Sequence, residues 1–303
     1  MEALSSQKKN INYNTTINYL LVVYALCLPI SKAGVNLFET LIILTWILQG
    51  NWREKYILYK SNPLIIALLS FILLHIISIP LASSTYFAMD YILKYKHLLI
   101  ILPIYSSLNK KFIQYIFSAF LIGIFISEIV SYGIFFEVWN YNNTSPLDPS
   151  PFMSRVDYSV YLSFASILLL IRFLNTNYAN LKIKIIYFLF FISATVNLFI
   201  NSGRTGQLTF AIMIFISIFI HLENKLKAFF LSTLLLFTVF TTAYISSSNF
   251  KSRLNQTVHA FELMIKDNNY KSDGVVQRIS LWIVGFDNFK DNYIYGKGIG
   301  NST

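Results

Sequence analysis

The chain is poor in charge. Asp, Glu, Lys and Arg make up 13% of its 303 residues, against about 25% in an average soluble domain. The hydrophobic share is 55%. A soluble fold of this size could not bury so many Phe, Ile and Leu, so that class is excluded. Cysteine is nearly absent. Cys27 stands alone inside an apolar run, which rules out a disulfide framework within the chain and any CxxC metal pattern. No Asp-x-Asp motif occurs. No repeat of 20–50 residues and no inverted symmetry between halves can be found, which argues against the common transporter architectures. Acid is scarcer than base, and the formal net charge is +10. No basic face with interleaved aromatics appears, so nucleic acid is not an expected partner.

What remains is a series of long apolar runs. A spanning helix needs roughly 20 mainly apolar residues. Nine candidate spans can be read, at about 17–31, 34–50, 63–83, 87–108, 112–133, 157–174, 185–201, 206–222 and 227–247. The fold expected is therefore all-α, a polytopic transmembrane helix bundle. Ser31-Lys32-Ala33 after the first run weakly resembles a cleavage site. A second run follows at once, so the first is read as a retained span and not a signal peptide. The fourth is the weakest, because Asp90, Lys94, Lys96 and His97 lie in its first half.

Orientation follows from the loops. With the N-terminus inside, inner loops hold Arg53, Lys55, Lys60, Lys110, Lys111, Arg172, Lys182, Lys184, Lys225 and Lys227. Outer loops are sparser in base, so the positive-inside rule places the N-terminus in the cytoplasm. Residues 1–247 then form the transmembrane domain and 248–303 an outer-face loop region. Two helices are expected in that region, near 254–265 and 274–289. Their apolar stripes suit packing on membrane lipids or on other helices. Tyr295–Asn301 reads as a glycine-rich loop.

Ionisable groups inside spans are costly and often functional. Glu39, Asp90, Glu128, Asp157 and Arg204 all lean towards the outer leaflet on this topology. A site at the outer surface needs that arrangement, whereas an ion pathway needs groups through the full depth. Asp90 and Lys94, four apart, can also simply neutralise each other. His75 and His97 read as satisfied core histidines.

The sharpest local signal is Asn201-Ser202-Gly203-Arg204-Thr205-Gly206, between two apolar runs. Its glycines let backbone approach closely, and its guanidinium offers a donor fork suited to phosphate. A span-end arginine on lipid headgroups is the plainer alternative. A second arginine, Arg278, lies four residues before Trp282 on one helix face.

Together these features resemble the O-antigen ligase superfamily, which includes O-antigen polymerases. The matching parts are the many-span layout, Ser202–Gly206 at a span boundary, Arg278-x-x-x-Trp282 in a long outer loop, and Gly298-Ile299-Gly300 after it. The resemblance implies a metal-independent glycosyltransferase of the bacterial inner membrane, without cofactor. Its donor would be a glycan on a polyprenyl (undecaprenyl) diphosphate, and its acceptor the lipid A core. Arg204 and Arg278 would be the catalytic arginines on the diphosphate, with Ser202, Gly203, Thr205, Trp282, Lys94 and Asp157 binding substrate. The family places a histidine downstream of the glycine-rich loop, and the sequence stops at Thr303. His259 does not match that position. The expectation is a truncated member that binds donor and transfers poorly. A transporter or flippase and a non-catalytic scaffold are the competing readings.

Overall fold

A computed structural model describes residues 12–82, 84–141, 144–175, 180–201, 203–267, 274–291 and 293. Among them the chain is helical, with one isolated bridge between Ser145 and Asp148 and no strand. It divides into two units. The first comprises Met1–Tyr24, Ala33–Phe117 and Arg278–Thr303; the second comprises Ala25–Lys32 and Ser118–Gln277.

The first unit holds most of α1 (Tyr13–Cys27), α2 (Lys32–Leu48), α3 (Trp52–Lys60), α4 (Pro63–Ile77), α5 (Thr85–Lys94) and α6 (Ile101–Ser107). Its core joins Ile17 and Leu21 of α1 to Ile42 of α2 and to Ile100. Asn18 ties α1 to the far end of α6, donating from Nδ2 to the Ser107 carbonyl at 2.8 Å. The helices stop where their sequences say they should. α4 starts at Pro63, with the Asn62 side chain accepting from the Leu64 N–H. Proline supplies the right φ at that position and has no N–H to leave orphaned. Between α2 and α3 the axis bends by 111°. Gly50 and Asn51 make the bend, with φ of 68° and 55°. Glycine and asparagine are the residues that enter the left-handed region most cheaply.

The second unit is built on α8 (Arg155–Asn175), packed against α9 (Leu181–Ile200) and α10 (Arg204–His221). α7 (Lys110–Phe135) enters it from Ser118 onward, and α11 (Lys225–Ser246) and α12 (Ser248–Asp267) complete it. Small residues line the buried face of α8: Ser159, Ser163, Ala165 and Ser166 are fully buried. In lipid there is no hydrophobic force between helices, so close packing of small side chains holds them. α13 (Gly274–Asp291) follows.

Among the described residues five helices, α7 to α11, are long and apolar enough to cross a membrane, and six if the bent α2–α3 pair forms one span. This is a multi-pass helical membrane protein; of the nine spans expected, five or six meet that length and composition among the described residues. The expected first and third runs are helices of 15 residues. The fourth is broken into α5, a 3-10 stretch over Tyr95–Ile100, and α6. Hydropathy counts apolar residues; it does not see where the helical hydrogen-bond ladder changes pitch. Among the 248–303 residues, α12 and α13 contain the two helices expected there.

Candidate functional site

The turn from α9 into α10 carries the motif. α9 ends at Ile200, Asn201 is extended, and Arg204 is the first residue of α10. Ser202 lies outside the described residues, as do Gly298, Ile299 and Gly300. Gly203 and Gly206 are the points of closest approach to α8. A Cβ on Gly203 would collide with the Ser159 side chain and stand 2.6 Å from the Arg155 carbonyl. A Cβ on Gly206 would collide with Ser159 backbone. The Gly206 N–H donates to Ser159 Oγ at 3.2 Å. Glycine is therefore required at both positions by space.

That approach brings two helix starts side by side. α8 opens with Ser154 as a reciprocal cap: its Oγ accepts from the Asp157 N–H at 3.2 Å and donates to Asp157 Oδ2 at 2.7 Å. Asp157 and the pair Gly203–Arg204 thus occupy the same end of the α8–α10 contact. Asp157 is engaged by its own cap there. Arg204 and Thr205 are half-buried. A long helix start offers backbone N–H groups and a positive dipole end, and Arg204 adds a full charge to it. Phosphate-type anions suit that combination.

The turn is held rigid from below. The fully buried Asn201 donates from Nδ2 to Ser150 Oγ at 2.9 Å, and Ser150 donates to Asp148 at 2.7 Å. The Asn201 carbonyl accepts from Gln207 Nε2 at 3.3 Å. Asn249, from the first turn of α12, donates to the carbonyls of Ile200 and Pro146, each at 3.2 Å. Ser247 Oγ donates to the Phe199 carbonyl at 3.1 Å. The loop with Pro146, Pro149 and Pro151, the end of α9 and the start of α12 are thus tied to one turn. Ser150, Ser159, Gln207 and Asn249 were not readable as site residues. A serine or amide among apolar residues looks the same in sequence whether it packs a helix or supports a turn.

Deeper in this unit lies a buried polar cluster. Glu128 Oε2 accepts from Ser193 Oγ at 2.8 Å, and Ser131 donates to Asn197 at 3.2 Å. Glu128 Oε1, Ser127 Oγ and the Tyr158 hydroxyl are buried without a hydrogen-bond partner.

Lys94, His97, Arg278 and Trp282 belong to the first unit. Lys94 pairs with Asp90 at 2.7 Å on exposed α5, the mutual neutralisation that their spacing allows. Arg278 and Trp282 are both exposed on α13, and Trp282 is 74% accessible. His97 is not the satisfied core histidine expected. It is half-exposed, and its Nδ1 meets the buried carboxylate of Glu39 at 2.6 Å. His259 is exposed on α12, 3.9 Å from Glu262. Among the described residues no group of three or more His, Cys, Asp or Glu could hold a metal ion.

Residues 188–303 match the family model described as O-antigen ligase. Neither a curated protein nor a solved structure gives a match to the chain.

Proposed function

We propose that the chain, whose residues 188–303 match the O-antigen ligase family model, transfers O-antigen glycan from a polyprenyl diphosphate to the lipid A core. Ligase or polymerase activity on a lipid-linked sugar is the general property of the superfamily; the donor, acceptor and face of action are the specific reading. The observation that carries it is the α9–α10 turn inside the matched segment, which presents Arg204 on a braced helix start. The acceptor hydroxyl attacks the anomeric carbon, and the bond from that carbon to the diphosphate breaks. Negative charge grows on the leaving diphosphate. Arg204 meets that charge with a fork of donors already in place, which costs no reorganisation at the moment of reaction. Arg278, also within the matched segment, is assigned the same role, with Trp282 beside it on the helix. Gly203 and Thr205 complete the turn, and Ser202, Lys94 and Asp157 are retained as substrate contacts. The reaction needs no metal on this reading, and it takes place on the periplasmic face of the inner membrane.

Polymerase activity is the second reading, since the superfamily match covers both. Deleting the gene and running lipopolysaccharide on a silver-stained gel separates them. Loss of the ladder with bare core, and accumulation of lipid-linked polymer, identifies the ligase. Core carrying a single repeat identifies the polymerase. An unchanged ladder in a strain with no second copy refutes both.

A further inference from the structure

The start of α8 meets the Gly203–Arg204 turn, and its far end carries a different cation, Arg172, in the last turn. There α7, α8 and α9 leave a groove of about 570 Å³ between them. Leu121 and Leu169 form its buried floor, and Ile122, Phe125, Ile186 and Leu189 are exposed along its open side. Its polar members sit at the two ends. Ser193 closes one end, and its hydroxyl donates away from the groove's axis to the buried Glu128 at 2.8 Å. Arg172, Ser118 and Tyr187 make the other end. Arg172 Nη2 donates to Ser118 Oγ on α7 at 3.0 Å, and its guanidinium carbon lies 5.7 Å from the centre of the Tyr187 ring on α9. These two contacts hold the charge at the mouth of the groove. Lys182 and Lys184 stand in the first turn of α9 at the same end, with Lys184 Nζ over the Phe173 ring at 5.1 Å. The lining covers 118–125 on α7 and 186–193 on α9. At 1.5 Å per residue that is about 10 Å of helix on each side.

We propose that this groove binds one anionic diacyl phospholipid, with the lipid phosphate at Arg172 and the first part of an acyl chain along α7 and α9. The site stands on the membrane architecture and is independent of the transfer reading above. An acyl chain gains little by leaving lipid for another apolar surface, so the head must supply the preference. The head meets a guanidinium, whose planar fork of donors matches phosphate oxygens. It also meets two lysines at the same level. Together the three cations favour a head with net negative charge. A zwitterionic head brings an ammonium of its own, which the same cations repel. Arg172, Lys182 and Lys184 belong to the loops that the positive-inside rule assigns to the cytoplasm. Basic pockets between spans on that side suit anionic headgroups.

The full chain is reconstituted in phosphatidylcholine nanodiscs with a small share of phosphatidylglycerol carrying a diazirine on one acyl chain. After irradiation, the labelled peptides are mapped by mass spectrometry. Labelling is expected to concentrate on the 118–125 and 186–193 segments. It is expected to fall with added unlabelled phosphatidylglycerol but not with the same amount of phosphatidylcholine or of a polyprenyl phosphate. Arg172→Gln should lower it roughly fivefold, the attraction of one cation for an anionic head. Label on α11, of whose apolar window only 11% is buried, should stay unchanged in that variant. Labelling spread evenly over the spans, equal competition by phosphatidylcholine, or stronger competition by the polyprenyl phosphate overturns the proposal. So does an Arg172→Gln protein with an unchanged thermal midpoint that labels as the unsubstituted chain does. The mapping and the competition use the unsubstituted chain, so they decide the question even if the variant fails to fold.

Discussion

The role proposed for Arg204 rests on a turn whose backbone its neighbours hold in place. Gly203 and Gly206 seat the turn on Ser159, and Asn201, Asn249 and Ser247 fix its backbone. Arg204→Ala should lower the transfer rate by about 10²–10³, the usual cost of removing one preorganised donor to developing charge. Arg204→Lys should recover only part of it, because a point charge replaces a fork. Initial rates at matched protein levels check both. Gly206→Val should destabilise the protein by about 1–3 kcal/mol through overpacking against α8, read as a lower thermal midpoint in detergent. An unchanged midpoint would mean that the α8–α10 contact is looser than the structure has it. The motif stands out in the sequence as glycines around a cation between two apolar runs, a pattern that a span-end arginine on lipid headgroups shares. Its support does not stand out, because Ser159 and Asn249 carry no signal that separates them from the other small and amide residues of the spans.

At the scale of elements, sequence and structure part where the backbone turns inside an apolar stretch. The run at 34–50 is matched by α2, which ends at Leu48, but α3 then leaves at 111° as a helix over Arg53, Lys55 and Lys60, which read as a loop in the sequence. Gly50-Asn51 was the available clue, since both residues tolerate positive φ. Nothing lies within 4 Å of a Cβ on Gly50, so Gly50→Ala tests backbone strain alone. It should cost about 1 kcal/mol, seen as a small drop in thermal midpoint without loss of transfer. The break over Tyr95–Ile100 was foreshadowed by Lys94, Lys96 and His97, which weaken the fourth run. Its partner was invisible: Glu39 and His97 are 58 positions apart, and only the fold brings them together.

For the whole molecule, composition alone identified a polytopic helical membrane protein, and that reading holds. The number of complete spans did not follow from it, since helices of 15 to 17 residues are too short to count by length alone. Orientation rests on Lys and Arg in the loops. In a Cys27→Ala background, single cysteines at Ser145 and Arg253 should react with a membrane-impermeant maleimide in intact, outer-membrane-permeabilised cells. One at Lys111 should react only after lysis. The reverse pattern would place the Arg204 turn on the cytoplasmic side and remove the proposed meeting of donor and acceptor.

The most direct test of the central claim is complementation of the deletion strain by Arg204→Ala at normal protein abundance, read on a lipopolysaccharide gel with parallel assay of lipid-linked polymer. The account predicts bare core and accumulated polymer, with the unsubstituted gene restoring the ladder. A full ladder from Arg204→Ala would contradict it, because the diphosphate would then leave without the one cation that the braced turn is built to present.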